Sequence, residues 1–555
     1  MHRRQLLKVL AGLGIGTAAF QRALAAQAAG AATVSAEMIK QAEWISGIEL
    51  SEEERETTAR SLTGTLRKFE AMRTVDVDYN VPPAVVFSAA PTRRQSTKPH
   101  ERSVAATEGA AGKRSASTEA LAFLPITELS ALIRTHQVTS IELTKLYLER
   151  LRQYDPALLC VATLTEDLAL KQAERADREI ASGRYRGPLH GIPWGAKDLI
   201  AYPGYKTAWG ATPFVDQVRD EKATVARRLD EAGAVLVAKL SLGSLAMGDE
   251  WYRGKTRNPW NQKQGSSGSS AGSASATAAG LVGFAIGSET LGSIVSPCRR
   301  CGTSGLRPTF GRVSRYGCMS LSWSMDKLGP ITRSMEDCAL VFAAIHGYDG
   351  LDPTAVDQPF HWPPRRDLRT MRVGYVVDKT PIETRSELKT LRELGVELVP
   401  IELPKKYPAG ALTVILDTEA AAVFDPLTRE GISEGIGKSW PGIFRRSEFV
   451  PAVEYLRANR IRTLLMQEMA ELMSGVDAYV GGNDLTITNL TGHPTIVMPH
   501  EFGEADGVET PGSITFTGKL FGETDLLTLG HAFQQATGHH LKHPSLEKLI
   551  PIDQG

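Results

Sequence analysis

Residues 265–280 read GSSGSSAGSASATAAG, placing many hydroxyls beside glycines that let one backbone approach another closely. Gly/Ser-rich stretches are most often flexible linkers. This one passes without a break into Ala274, Ala276, Ala278 and Ala279 and then an apolar run ending at Pro297, which reads as loop, tight helix and buried strand. Acyl transfer by a serine hydroxyl needs a base to activate the nucleophile, an acid for the leaving group and donors for the developing oxyanion. Ser293 follows Gly292 in LGSI, where a substrate carbonyl can come close. Lys197 follows the apolar GIPWGA. An ammonium desolvated there has its pKa drawn from ~10.4 toward ~7–8, the range useful to a general base. No histidine sits beside a plausible nucleophile, so a Ser-His-Asp system is poorly supported.

GSSAGSASATAAG at 268–280 resembles the serine-glycine hallmark of the amidase signature family, and GSETLGSI at 287–294 resembles that family's second block. Ser269 and Ser293 stand at the family's spacing. Further similar stretches are GPLHGIPWGAKDLI (187–200), AGAVLVAKL (232–240), TRNPWN (256–261), CGTSGLRPTFGRVSRYG (301–317) and SMDKLGPITRS (324–334). The resemblance runs from about Leu124 to HAFQQATGHH at 531–540.

The resemblance implies a Ser-Ser-Lys triad. Ser293 is the nucleophile, Ser269 the bridging serine held by a cis peptide, Ser270 its structural partner and Lys197 the base. Backbone N–H groups of Thr290, Leu291, Gly292 and Ser293 would form the oxyanion hole, each donor worth roughly 3–4 kcal/mol. Three positions depart from the family pattern. Leu291 stands where Gly or Asp is usual, Ala271 replaces a hallmark Gly and Val295 replaces a common Arg. Val295, together with Ser244 in place of a frequent Glu, removes groups that would read a charged substrate, so a small, uncharged or apolar amide is expected. Met247, Trp194 and Trp209 are candidates for lining the pocket, with core packing as the alternative for each.

At 555 residues the chain exceeds the ~250–300 at which one core stops growing, so a large domain with an appendage is expected. The 63 Lys and Arg balance 63 Asp and Glu, which leaves no electrostatic footprint for nucleic acid or an anionic membrane. Five cysteines are too few for a disulfide framework in a chain this long. Cys298 and Cys301 form a C-x-x-C, but no second pair completes a metal site, so no metal is expected; the resemblance implies a mechanism without an organic cofactor as well. His539, His540 and His543 read as a solvated helix end. A homodimer is compatible with these features.

These groups must be positioned by an α/β fold, because strands such as AGAVLVAKL alternate with helices such as TVARRLDEAG. The family's large mixed sheet wrapped by helices is the fold the resemblance implies. Paired Arg3 and Arg4, the apolar run Val9–Phe20 and Ala23-Leu24-Ala25 make a twin-arginine-type export signal over 1–25, implying a periplasmic or secreted protein. The apolar run is too short for a membrane anchor. Residues 26–91 are expected to be a small helical extension, with Met38, Ala42 and Ile45 on one apolar face and Ser51/Glu54 as a capping box. Residues 92–117 hold too few large apolar side chains to offset the entropy of ordering and read as a disordered linker, with the amidase domain at 118–555. Thr139/Glu142 caps a helix that carries Leu143, Tyr147 and Leu151 on one face.

The expected function is an exported amidohydrolase working through a serine acyl-enzyme. An amidotransferase A-type subunit, which shares these blocks, is disfavoured by the export signal. A catalytically impaired binding protein, conceivable from Leu291, is disfavoured by retention of Lys197, Ser269 and Ser293.

Overall fold

The computed structural model describes residues 33–77, 81, 83–85, 117–364, 366–377 and 379–552. The expected export signal and, apart from Ser117, the expected linker lie outside the described residues. The chain divides into two compact units, one of residues 1–84, 407–433 and 438–464, the other of 85–406, 434–437 and 465–555.

In the first unit, α1 (Ala36–Ser46) starts where the Ser35 side chain accepts the Met38 N–H and stops at Gly47, whose φ of +68° suits a residue without Cβ. α2 (Glu52–Arg73) opens on the expected box, with both Ser51–Glu54 bonds made. The buried face of α1 differs from the expected one. Ile39 and Glu43 are buried, whereas Met38 and Ile45 are 42% and 72% exposed. Ile39 packs with Leu50, Ala59 and Leu62, and Glu43 turns inward because Arg55 of α2 meets it at 2.6 Å. The helices Val414–Val423 and Trp440–Ser447 belong to this same unit, tied by Arg445–Glu54 (2.7 Å) and Arg446–Asp417 (2.7 Å). The N-terminal helices therefore pack on a segment some 350–400 positions later in the chain.

The second unit holds an eleven-stranded mixed sheet. Its strands are β1 (Val161–Leu164), β2 (Pro193–Lys197), β3 (Val235–Leu240), β4 (Phe284–Glu289), β5 (Ser304–Arg307), β6 (Lys327–Thr332), β7 (Arg372–Val376), β8 (Glu397–Ile401), β9 (Ala478–Val480), β10 (Thr495–Ala505) and β11 (Val508–Gly518). Their spatial order is β1-β3-β2-β4-β6-β5-β10-β11-β9-β7-β8. β2, β3, β4 and β6 lie with almost every residue buried, as strands covered on both faces must. Helix α3 (Ser140–Leu158) starts where the Thr139 hydroxyl accepts the Glu142 N–H, and it buries Leu143, Tyr147 and Leu151 as expected.

Two local features of this sheet set up the site. β2 runs parallel to both β3 and β4, and its register against β3 shifts between Trp194 and Gly195, a bulge of the kind that re-aims side chains. Next to it, α4 (Ala271–Ala278) is buried along its whole length. A Cβ on Gly272 would lie 2.4 Å from the Cys160 carbonyl oxygen and 2.5 Å from the Ser241 nitrogen, so only glycine allows this approach.

Candidate active site

Lys197 ends β2, and the parallel pairing of Ala196 with Ile286 brings it beside Ser288 on β4. Its side chain is 0% exposed. Nζ lies 2.8 Å from Ser269 Oγ, 3.1 Å from Ser270 Oγ and 2.9 Å from Ser288 Oγ. Ser270 Oγ–H donates to the Ser288 carbonyl (3.1 Å), so toward Nζ Ser270 can act only as an acceptor. With Ser270 and Ser288 each taking one N–H, the third direction from Nζ faces Ser269. Three hydroxyl oxygens match the three N–H groups of an ammonium; when Nζ is neutral, the direction facing Ser269 becomes a lone pair that can accept that hydroxyl's proton.

Burial lowers the Lys197 pKa from 10.5 to about 7, against the opposing pull of the Asp326 and Glu289 carboxylates. Neither carboxylate forms an ion pair with it within 4 Å among the described residues. Asp326 instead accepts the Thr290 hydroxyl (2.6 Å) and the Leu321 and Ser322 N–H groups, and Glu289 is engaged elsewhere.

The serine loop reaches Lys197 through a cis Gly268–Ser269 peptide, as the family resemblance implied. A Cβ on Gly268 would lie 1.8 Å from the Gly248 carbonyl oxygen, which explains the glycine. Asp249 accepts the Ser267 N–H at 2.9 Å and so holds the chain just ahead of the cis bond. The letters from Gly268 to Gly272 also spell G-x-S-x-G, but the Ser270 hydroxyl is bonded to Ser288 and Lys197 and not to a histidine.

Ser293 lies between β4 and α5 (Val295–Cys301), 9% exposed, and its carbonyl accepts the Ser270 N–H at 3.1 Å. Gly292 has φ +87°, which turns the chain there. The buried Glu289 carboxylate anchors this loop, accepting the N–H groups of Ile294 (2.8 Å) and Val295 (2.9 Å), the Asn489 amide (2.8 Å) and Arg307 (2.8 Å). Burial alone would raise the Glu289 pKa, but Arg307, Lys327 and the Val295 N–H bring it down to about 2. Among the described residues, no partner takes the N–H groups of Leu291, Gly292 or Ser293, which leaves them available to a developing oxyanion.

Other residues singled out in the sequence are placed as follows. Trp194 is a core residue, fully buried and stacked on Phe284 at 6.1 Å. The narrow cavity beside Ser288 is lined by Leu199, Ala246, Thr290, Met319 and Leu328, without Met247 or Trp209. Cys298 and Cys301 sit in an apolar cluster with Ala274, Ile294 and Val295, and burial pushes the Cys298 thiol up to about 12. Of the C-terminal histidines, His539 and His540 are half-buried, while His543 stays exposed as a solvated helix end would leave it. His543 stacks on Phe123 at 3.9 Å, and burial lowers His540 to about 4. Ser288, Glu289 and Asp326 escaped the sequence reading. The first two lie inside the block GSETLGSI, but only the pairing of β4 with β2 shows what they touch.

The family model named Amidase matches residues 142–482, which contain Lys197, Ser269 and Ser293. The chain belongs to the amidase signature family. Its relatives include the A-type subunit of the glutamyl-tRNA(Gln) amidotransferase of Geobacter metallireducens, 32% identical over 75% of this chain and 98% of the relative. The corresponding protein of Chloroflexus aurantiacus is 33% identical over 76% of this chain and 98% of its own length. Among solved structures, the native peptide amidase of Stenotrophomonas maltophilia superposes with a TM-score of 0.67 at 29% identity, covering 76% of this chain and 99% of that one. The mixed sheet wrapped by helices is thus the fold of this family. As an amidase-family enzyme, the chain acts on carbon–nitrogen bonds, as a hydrolase or an amidotransferase.

Proposed function

We propose that the protein is an amidohydrolase that cleaves a small amide through an acyl-enzyme on Ser293. The observation that carries this is the buried Lys197 Nζ, 2.8 Å from Ser269 Oγ and with its pKa lowered to about 7. Neutral Lys197 takes the Ser269 proton while Ser269 takes that of Ser293, and the Ser293 oxygen attacks the amide carbon. The N–H groups of Leu291, Gly292 and Ser293 hold the oxyanion. As the C–N bond breaks, the proton returns from Lys197 through Ser269 to the departing nitrogen. Water then enters by the same relay and releases the acid. The apolar Val295 and the Ser244 hydroxyl, which donates to the Gly210 carbonyl at 2.8 Å, leave no charge at two positions where the family often has one. This favours an uncharged group next to the scissile carbonyl.

The twin arginines and A-x-A site support export before the enzyme acts. N-terminal sequencing of exported material should begin near Ala26, and an intact Met1 would remove this part. A second reading, an amidotransferase component releasing ammonia, is favoured by the likeness to the Geobacter and Chloroflexus proteins. Incubating the purified chain alone with simple primary amides and with glutamine separates the two. Hydrolysis of simple amides without a partner supports the first, and activity on glutamine alone that rises with a partner supports the second.

A further inference from the structure

Beyond the nucleophile loop, a cavity of about 380 Å³ opens along the outer side of α5. It is lined by Asn258, Gln264, Ser267, Ser296, Arg299 and Arg300, with Thr510 of β11 at its edge and no carboxylate in its lining. Its size falls in the range of small-molecule sites, roughly 300–1,000 Å³.

Asn258 is the informative residue. It is 0% exposed, and its Oδ1 accepts the Trp260 N–H at 3.1 Å, which fixes which end of the amide is oxygen. Its Nδ2 is buried with no hydrogen-bond partner among the described residues. A buried amide donor left unpaired costs about 1–3 kcal/mol, so a residue of the cavity lining holds a donor in want of an acceptor.

Two cations join it. Arg299 donates to Thr515 Oγ1 (3.2 Å) and Arg300 to Gln264 Oε1 (3.3 Å), both neutral oxygens. Among the described residues neither guanidinium has a carboxylate within 4 Å. Arg299 and Arg300 follow one another on α5, while Cys298 and Cys301 of the same helix face the apolar cluster. The helix therefore turns its charge toward the cavity and its apolar side toward the core.

We propose that this cavity binds the oxyanion group of a small molecule, a carboxylate or a phosphate, between Asn258 and the two arginines. Guanidinium groups pair such groups through parallel N–H bonds, and the amide supplies a further donor. The site abuts the catalytic loop. The Ser296 N–H donates to the Gly292 carbonyl at 2.7 Å, and Ser267 directly precedes the cis Gly268–Ser269 bond. The anionic group can thus belong to a part of the amide substrate away from the uncharged group at the scissile carbonyl, or to a separate effector.

The test reads binding and does not depend on turnover. Thermal unfolding of the mature chain is followed with increasing inorganic phosphate or acetate, with chloride replacing them at equal ionic strength. A saturable rise in Tm of roughly a few degrees is expected with at least one of the two, and it should be lost in Arg299→Gln/Arg300→Gln and in Thr510→Glu but kept in Arg227→Gln, which changes an arginine of the helix Thr224–Ala232 that is paired with Glu231 and does not line the cavity. A rise that persists in the double variant, or that chloride reproduces, is a general salt effect and overturns the site. The rate at which a neutral fluorophosphonate labels the protein then distinguishes the sources. Slower labelling in saturating anion places the group in the substrate, and unchanged labelling makes it an effector; either result requires the site.

Discussion

At the scale of single residues, the decisive feature is that a lysine is kept where water cannot reach it. The unfolded chain holds this amine near 10.5, whereas in the fold it titrates at about 7. A lysine with a depressed folded pKa opposes folding. The penalty is complete below the folded value, where the buried amine is charged, and fades as pH rises from about 7 to 10.5 because the unfolded state then holds the extra proton. Lys197→Met should therefore raise stability by about 1–4 kcal/mol at pH 6, with a smaller gain at pH 10, while abolishing amide turnover. Urea unfolding of both proteins at the two pH values checks this; a loss of stability at pH 6 would show that the hydrogen bonds to the three serines outweigh the buried charge.

At the scale of elements, β4 and the start of α5 are held in one arrangement by Glu289. Glu289→Gln leaves Arg307 buried without its counter-charge and weakens the bonds to the Ile294 and Val295 N–H groups. A loss of about 3–5 kcal/mol is expected by denaturant titration, with turnover falling even where the protein is folded. Wild-type stability in this variant would show that the carboxylate does not anchor the loop. Elements whose burial is uniform were legible in the sequence. AGAVLVAKL and the alanine-serine helix each carry one pattern throughout, and each became the expected strand or helix. The α1 face was not, because Met38, Ala42 and Ile45 have the right period while the partners that decide burial, Arg55 and Leu62, lie on the next helix. Ser288 failed for a related reason. A serine in a strand carries no signal of its own, and its meaning comes from the parallel neighbour that ends in Lys197.

At the scale of the whole molecule, residues 26–91 read in sequence as an appendage, yet the described helices in this stretch form one compact unit with residues 407–433 and 438–464. Contacts so remote in sequence leave no periodic trace, which is why this grouping could not be read from the chain. Limited proteolysis should cut within residues 92–117, where few large apolar residues occur. The two fragments should then co-elute on gel filtration and separate only in urea, because the cut leaves the packing of α1 and α2 on the later helices in place. An N-terminal fragment that elutes by itself in native buffer would contradict the single unit.

The central claim, that neutral Lys197 activates Ser293 through Ser269, is tested most directly by the rate of fluorophosphonate labelling as a function of pH in wild type and Lys197→Ala, with the labelled residue located by mass spectrometry. Expected are label on Ser293, a rate that falls as pH drops through about 7, and a loss of roughly a thousandfold or more in Lys197→Ala with an intact circular dichroism spectrum. Label on Ser293 at near wild-type rate in folded Lys197→Ala, or label on another serine, would contradict it.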